Sequence, residues 1–242
     1  MKKFIMPKMF KTSTHKSKKS YTLILCIAFF YNITCPLANA KSSTVSQSQN
    51  GSQINYSSQN YLTDYKLELK LIENFLNNIN YLTCDFIQNI NGELAGGKFY
   101  LHRNRESSGK MRIEYLDEPK VLIVVNGEVL SYHDIELDEI SRLSTNTTPA
   151  SLLTRPNISF SAKDVEITNI KKSNNEIKVS IMKKNRKDAG EFSLVFKLEP
   201  FEFVKMSVKN DLDQVINVEL KNIDFDSKIP NKLFIIKNSD NQ

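Results

Sequence analysis

The chain has 242 residues, with 33 Lys and Arg against 27 Asp and Glu, 7 Gly, 7 Pro, 3 Cys and no Trp. At 40% hydrophobic and 25% charged residues it is a globular composition of one or two domains. Scarce Gly and Cys exclude collagen and a disulfide-stapled miniprotein, and plentiful Leu, Ile, Val and Phe exclude a wholly disordered chain. The net charge of +6 resides in residues 1–40, where seven Lys meet no acid; the remaining 26 cations face 27 acids, which is no footprint for a phosphate backbone, so no nucleic-acid partner is expected.

Residues 1–40 have the three-part form of a secretory signal: a Lys-rich stretch, the apolar run Tyr21 to Ile33, and Ala38-Asn39-Ala40 as a small-x-small cleavage pattern. An apolar run of about 13 residues spans roughly 20 Å as a helix, short of the ~30 Å hydrocarbon layer, which favours a cleaved signal over a retained anchor. Asn32-Ile33-Thr34 is a poor context for acylation of Cys35. Cleavage leaves Cys84 as the sole cysteine, so the exported chain has no internal disulfide and depends on packing; Cys84 reads as a small buried hydrophobe. Residues 41–60 are Ser, Gln, Asn and Thr with almost nothing apolar, a flexible tether before a folded domain at 61–242.

Between Thr63 and Asn80 apolar residues fall at helical spacing. Tyr65, Leu69, Ile72, Leu76 and Ile79 form one stripe, and Leu67, Leu71 and Phe75 a second ridge beside it, with Thr63 or Asp64 as cap. Two ridges give such a helix apolar neighbours on two sides: either it is deeply buried in a core, or it lies between a sheet and an apolar ligand or lid.

From Thr83 the period changes to 2. Strands are predicted at Cys84 to Ile90, around Phe99 and Leu101, at Met111 to Tyr115, Val121 to Val125, Val129 to Asp134 and Leu137 to Leu143. Others follow at Val165 to Lys171, Glu176 to Lys183, Glu191 to Leu198, Phe203 to Lys209, Val215 to Phe225 and Leu233 to Ile236. Asn126-Gly127 suits a two-residue hairpin turn. So many short strands suit a strongly curved or barrel-like sheet. Thr148-Pro149-Ala150-Ser151-Leu152-Leu153 reads as one short helix with Pro at its first position. In the strand from Val215 the apolar parity switches between Leu220 and Ile223, as a bulge would produce.

Catalytic chemistry is not evident. Beyond the leader the only histidines are His102 and His133, with no G-x-S-x-G, H-E-x-x-H, paired C-x-x-C or Gly-rich phosphate loop, so no catalytic residue, cofactor or metal is expected. Apolar residues on superficial elements, in an exported chain, point instead to a carrier or binder of something greasy.

The ordered pieces Phe86-Ile87-Gln88, Gly97-Lys98-Phe99-Tyr100-Leu101, Gly109-Lys110-Met111-Arg112-Ile113-Glu114-Tyr115 and Val124-Val125-Asn126-Gly127 with Tyr132 carry a family likeness. It continues through Thr148 to Leu153, Asn222-Ile223-Asp224-Phe225, Pro230 and Leu233-Phe234. From about Ile72 to Phe234 the chain resembles the periplasmic outer-membrane lipoprotein carrier proteins of the LolA type. The resemblance implies a mainly β fold, an unclosed antiparallel β-barrel of about eleven strands covered by a helical lid. It also implies a periplasmic monomer that takes acylated lipoproteins released by an inner-membrane ABC transporter and passes them to an outer-membrane receptor or to the outer membrane itself. On this reading Leu67, Leu71, Phe75, Phe99, Leu101, Met111, Ile113, Leu152 and Leu153 line the acyl-chain cavity and lid, so that a carboxylate in place of Leu71 or Leu153 blocks cargo. Family members hold the empty cavity closed with an Arg of an R-P-G-like segment. Here that segment is Arg103-Asn104-Arg105-Glu106-Ser107-Ser108-Gly109, where Ser107-Ser108 replace Arg-Pro and either Arg105 or Arg103 can take the part, unless both are solvated turn residues. The alternative is a carrier-like half-barrel acting as an envelope-stress sensor or protein-interaction module. Transport requires a greasy hollow beneath the helices that can open; a solid interior would leave only shared ancestry.

Overall fold

A computed structural model describes residues 57–210 and 212–236. The signal expected at 1–40 lies outside them, as does most of the expected tether; the first helix, α1 (Ser58–Asp64), begins within that tether. Ser57 caps it, accepting from the Asn60 amide at 3.3 Å. Tyr65 (φ −115°, ψ 27°) then breaks the helical path, and α2 runs Lys66–Asn78. The single helix expected from Thr63 is thus two, and neither Thr63 nor Asp64 is a cap.

The strands are β1 (Tyr81–Ile90), β2 (Glu93–His102), β3 (Lys110–Tyr115), β4 (Val121–Asn126), β5 (Val129–Asp134) and β6 (Glu139–Ser144), then β7 (Val165–Lys172), β8 (Glu176–Lys183), β9 (Glu191–Leu198), β10 (Phe201–Lys209) and β11 (Val215–Asp224). They form one unclosed antiparallel sheet in the order β6-β5-β4-β3-β2-β1-β11-β10-β9-β8-β7. Each half is a chain of hairpins, and the return of β11 onto β1 joins them. The edges at β6 and β7 stay unpaired with one another, and residues 145–164 cross between them, including the expected short helix, which is a 3-10 turn over Pro149–Thr154. Edge β7 is blunted by α1: the Ile167 amide donates to Ser58 Oγ at 3.0 Å.

Alternation sorts the side chains. Phe99, Leu101, Met111, Ile113, Ile177, Val179, Phe192, Leu194 and Phe196 face one interior, which Leu69, Ile72 and Leu76 of α2 close from above. Strand β4 is apolar from Val121 to Val125 because both its faces are covered. Val121, Ile123 and Val125 join this core, while Leu122 and Val124 lie under Ile229 and Phe234 on the outer face. The last expected strand, Leu233 to Ile236, is therefore a 3-10 turn (Asn231–Phe234) and its continuation, strapped over β4. The expected bulge is present: the β1–β11 register slips between Thr83 and Asp85, opposite Asn222 at φ 53°. The β4–β5 loop is Gly127-Glu128, since Asn126 pairs with Val129; only Gly127 of the expected turn pair takes positive φ, at 66°.

Beneath α2 the inward side chains of the sheet pack against Leu69, Ile72 and Leu76. Further along the same face a gap of about 10 Å³ is lined by Phe86, Gln88, Phe99, Tyr115 and Met206. That is room for about one water molecule, far below the 300–1,000 Å³ of ordinary ligand pockets.

Candidate functional site

Seven of the nine expected lining residues come together. Phe99, Leu101, Met111, Ile113, Leu152 and Leu153 are all buried in the core against α2, and Phe75 packs half-buried on its margin. Leu67 and Leu71 do not join them. They are 83% and 46% exposed, because α2 turns only the Leu69, Ile72 and Leu76 stripe inward. A helix lying on a sheet has one buried face, and of the second ridge only Phe75 is packed, against Phe196, Phe201 and Phe225.

Arg103 and Arg105 are separated sharply. Arg103 follows β2 and continues the inward parity of Phe99 and Leu101; its backbone amide donates to the Asn80 carbonyl at 2.8 Å. Its side chain is buried, and its guanidinium reaches both elements that cover the core. Nη1 donates to the Leu76 carbonyl of α2. Nη2 donates to the Arg155 carbonyl at 2.7 Å, with the Pro156 carbonyl and Asn77 Oδ1 each at 3.3 Å. Leu76 is in the last turn of α2, where its carbonyl otherwise accepts only a long 3.4 Å bond from the Ile79 amide, and a cation opposes the helix dipole favourably. Burial, and then Arg105 nearby, lower the Arg103 guanidinium to about 10, so it stays charged at neutral pH. Arg105 is exposed and donates to Asn78 Oδ1 at 3.1 Å.

The two covering elements are also bonded to one another. Asn77 makes a two-way clamp on Ile158, donating to its carbonyl and accepting from its amide, both at 2.8 Å. One turn earlier, Glu73 Oε1 accepts from the Phe160 amide at 2.7 Å and from Ser159 Oγ at 3.1 Å. The Pro149–Thr154 turn meets the sheet at Gly109, whose amide donates to the Thr154 carbonyl at 2.6 Å. A Cβ there would sit 3.0 Å from the His102 carbonyl oxygen and 3.3 Å from Thr154, so glycine permits this approach. The alternating apolar pattern gave no sign of Glu73 or Asn77; their signal is a carboxylate and an amide at i and i+4 on one helix flank.

Polar chemistry is otherwise structural. His102 stacks on Tyr81 with centroids 4.7 Å apart, and His133 Nε2 lies 3.1 Å from Asp138 Oδ1. Among the described residues no group of three or more His, Cys, Asp or Glu is placed to hold a metal. Cys84 is buried, and desolvation, then the Asp85 charge, push its thiol up to about 12, which makes it unreactive at neutral pH. No helix among the described residues is long and apolar enough to cross a membrane.

A half-open antiparallel sheet, an apolar concave face and a bonded two-part helical cover define a carrier-type architecture. The outer membrane lipoprotein carrier protein LolA family model matches residues 77–237, and the chain belongs to that family. No curated protein matches it. Among solved structures it is similar to a candidate outer membrane lipoprotein-sorting protein domain from Vibrio parahaemolyticus (TM-score 0.47, 5% identity, 69% of this chain and 95% of that one). It is also similar to a LolA superfamily protein from Nitrosomonas europaea (0.39, 12%, 69% and 97%) and to the MucA/MucB complex of Pseudomonas aeruginosa (0.39, 10%, 70% and 60%). At these scores the structural likenesses carry no argument about activity.

Proposed function

We propose that the protein is a periplasmic carrier, not an enzyme, that binds the acyl chains of lipoproteins released from the inner membrane and delivers them to the outer membrane. The observation that carries this reading is the Arg103 latch: one buried cation holds the C-terminal turn of α2 and the Arg155-Pro156 backbone together over an apolar interior. The closed form, with α2 packed on the sheet, is then the empty state, and cargo enters as α2 and residues 149–160 lift and acyl chains replace their side chains against the sheet.

Energetics favour this design. Each buried methylene contributes about 0.8 kcal/mol, so a chain of ~16 carbons contributes of order 10 kcal/mol, too much for ready release if all of it is realised. Self-packing and the latch must be undone before cargo enters, which lowers the apparent affinity by the fraction of molecules open. With no energy source of its own, the carrier passes cargo only to a tighter acceptor, an outer-membrane receptor or the membrane itself.

Incubation of the purified protein with spheroplasts carrying an energised lipoprotein-releasing ABC transporter should yield a soluble lipoprotein complex of one carrier monomer to one cargo. Failure to release any lipoprotein overturns the reading, and selective capture of a membrane protein's periplasmic segment would replace it with the sensor alternative.

A further inference from the structure

Phe75 stands one residue before the Leu76 carbonyl held by Arg103, and its ring meets Phe196, Phe201 and Phe225 near-perpendicularly at centroid distances of 5.8, 5.3 and 5.7 Å. Beside it lies a groove of about 410 Å³, walled by Phe75, Phe201, Phe203, Val204, Ile223 and Phe225. Its volume is that of a ligand pocket, and it is separate in lining from the small gap at Phe86, Gln88 and Tyr115. Two strand irregularities shape it. The β9–β10 register slips between Phe203 and Lys205, at Val204, and β11 is irregular at Asn222. Adjacent bulges bend neighbouring strands and re-aim side chains.

The surroundings restrict the occupant. Strands β9, β10 and β11 are internal to the sheet, so the groove has no free strand edge on which an extended peptide could pair. Its polar rim is already matched: Lys197 Nζ lies 3.0 Å from Glu202 Oε2. Asn222 Nδ2 donates to Asp85 Oδ2 at 2.8 Å, and Asp85 Oδ1 pairs with Lys98 Nζ at 2.9 Å. A ligand with a charged head would have to break one of these pairs; an aliphatic chain with an uncharged head would not.

We infer that this groove is an outer acyl site, which takes one aliphatic chain with an uncharged head while the lid is still shut. Phe75 belongs both to the groove and to the lid helix, so displacement of α2 removes the ring that separates the groove from Phe196 and the core. The groove is then the way in. The inference rests on the carrier reading for the source of the chain, an acylated lipoprotein, but its binding chemistry is tested separately.

The chain has no Trp, so Phe225→Trp places a single fluorophore at the groove and Phe160→Trp, in a second protein, places one in the buried core. The probe is bromoundecanol, whose terminal bromine quenches an adjacent indole. Saturable quenching of the indole at position 225 is expected, reduced about tenfold or more in apparent affinity when Val204→Lys is added, with the β circular dichroism spectrum retained. Ile223→Asn provides the same test if Val204→Lys unfolds the protein. Bromoundecanoate should bind no more tightly than the alcohol; tighter binding of the acid overturns the uncharged-head assignment. Quenching at position 160 without quenching at 225 overturns the groove and leaves the carrier reading intact, and quenching at neither position overturns the groove outright. Quenching at 225 combined with no lipoprotein release from spheroplasts upholds the groove and removes the carrier reading.

Discussion

Arg103 is the residue through which sheet and cover are joined, and its position was only half legible. Strand parity places both Arg103 and Arg105 on the inward set with Phe99 and Leu101, but β2 ends at His102, so the first Arg still points inward whereas the second lies on the departing turn. A hydrogen-bonded strand end is a tertiary fact that alternation alone does not contain. Arg103→Leu removes charge-assisted bonds worth about 2 kcal/mol to the closed state, so apparent affinity for an acyl probe should rise about 30-fold while transfer to an acceptor falls. Arg103→Lys, which keeps the charge but loses the fork, should fall between; a competition assay between carrier and acceptor vesicles reads both, and unchanged affinity in Arg103→Leu would contradict the latch. Lys183 gives a pH signature nearby. Its ammonium donates to the Asn146 carbonyl at 3.0 Å across the open seam, and burial, then the Arg155 charge, push it down to about 8. The folded chain thus binds fewer protons than the unfolded chain between about 8 and 10.5, so this group's penalty is full below pH 8 and is relieved as pH rises through that window. Urea midpoints of the wild type relative to Lys183→Met should therefore shift in the wild type's favour from pH 7.5 to pH 10, and a constant difference would refute the shift.

At the scale of elements, the strands were readable because burial on one face imposes period 2, and β4 was readable as unusual because it is apolar at every position from Val121 to Val125. What covers its outer face was not readable: the segment from Leu233 to Ile236 looked like a strand, yet its apolar residues join Ile229 on the convex side, where Arg112 Nη1 holds the Leu233 carbonyl at 3.0 Å. Asn91-Gly92 was a plain hairpin signal left unread; φ of 52° and 93° make it the tight turn between β1 and β2. Gly97, among the family-like pieces, has a physical reason to be glycine, since a Cβ there would overlap the Glu114 carbonyl oxygen and the Phe86 ring. The helix shows the limit of periodicity. Both ridges of α2 are apolar in sequence, but only packing decides which one is inward. Leu71→Glu should change the urea midpoint by no more than about 0.5 kcal/mol equivalent and should leave cargo release intact. Leu153→Glu places a carboxylate in a site 2% exposed and should cost several kcal/mol or abolish folding. Loss of cargo binding in a stable Leu71→Glu protein would return Leu71 to the site.

For the whole molecule, the packing of α2 on the sheet turns the question from what the sheet holds to how the cover leaves it. The eleven-stranded sheet is continuous through β1 and β11, so its hydrogen bonds are not available to open without global unfolding, whereas α2 and residues 155–160 are tied to it and to each other by a few named side chains. Two loosely joined pieces would open independently and expose apolar surface piecemeal. The paired bonds of Asn77 with Ile158, together with Glu73 at Phe160, make them one unit that opens in a single step. Native-state hydrogen exchange separates these cases, because each amide reports the smallest opening that frees it. In the wild type the Ile158 and Phe160 amides should exchange with the same opening free energy as the C-terminal half of α2 and well below that of Phe86 and Leu220 at the paired centre of the sheet. Asn77→Ala removes both halves of the clamp, so Ile158 and Phe160 should exchange about tenfold faster or more, while the α2 amides change less and the β1–β11 centre keeps its protection. If Asn77→Ala accelerates every amide equally, the opening is global and the cover is not a separate moving unit.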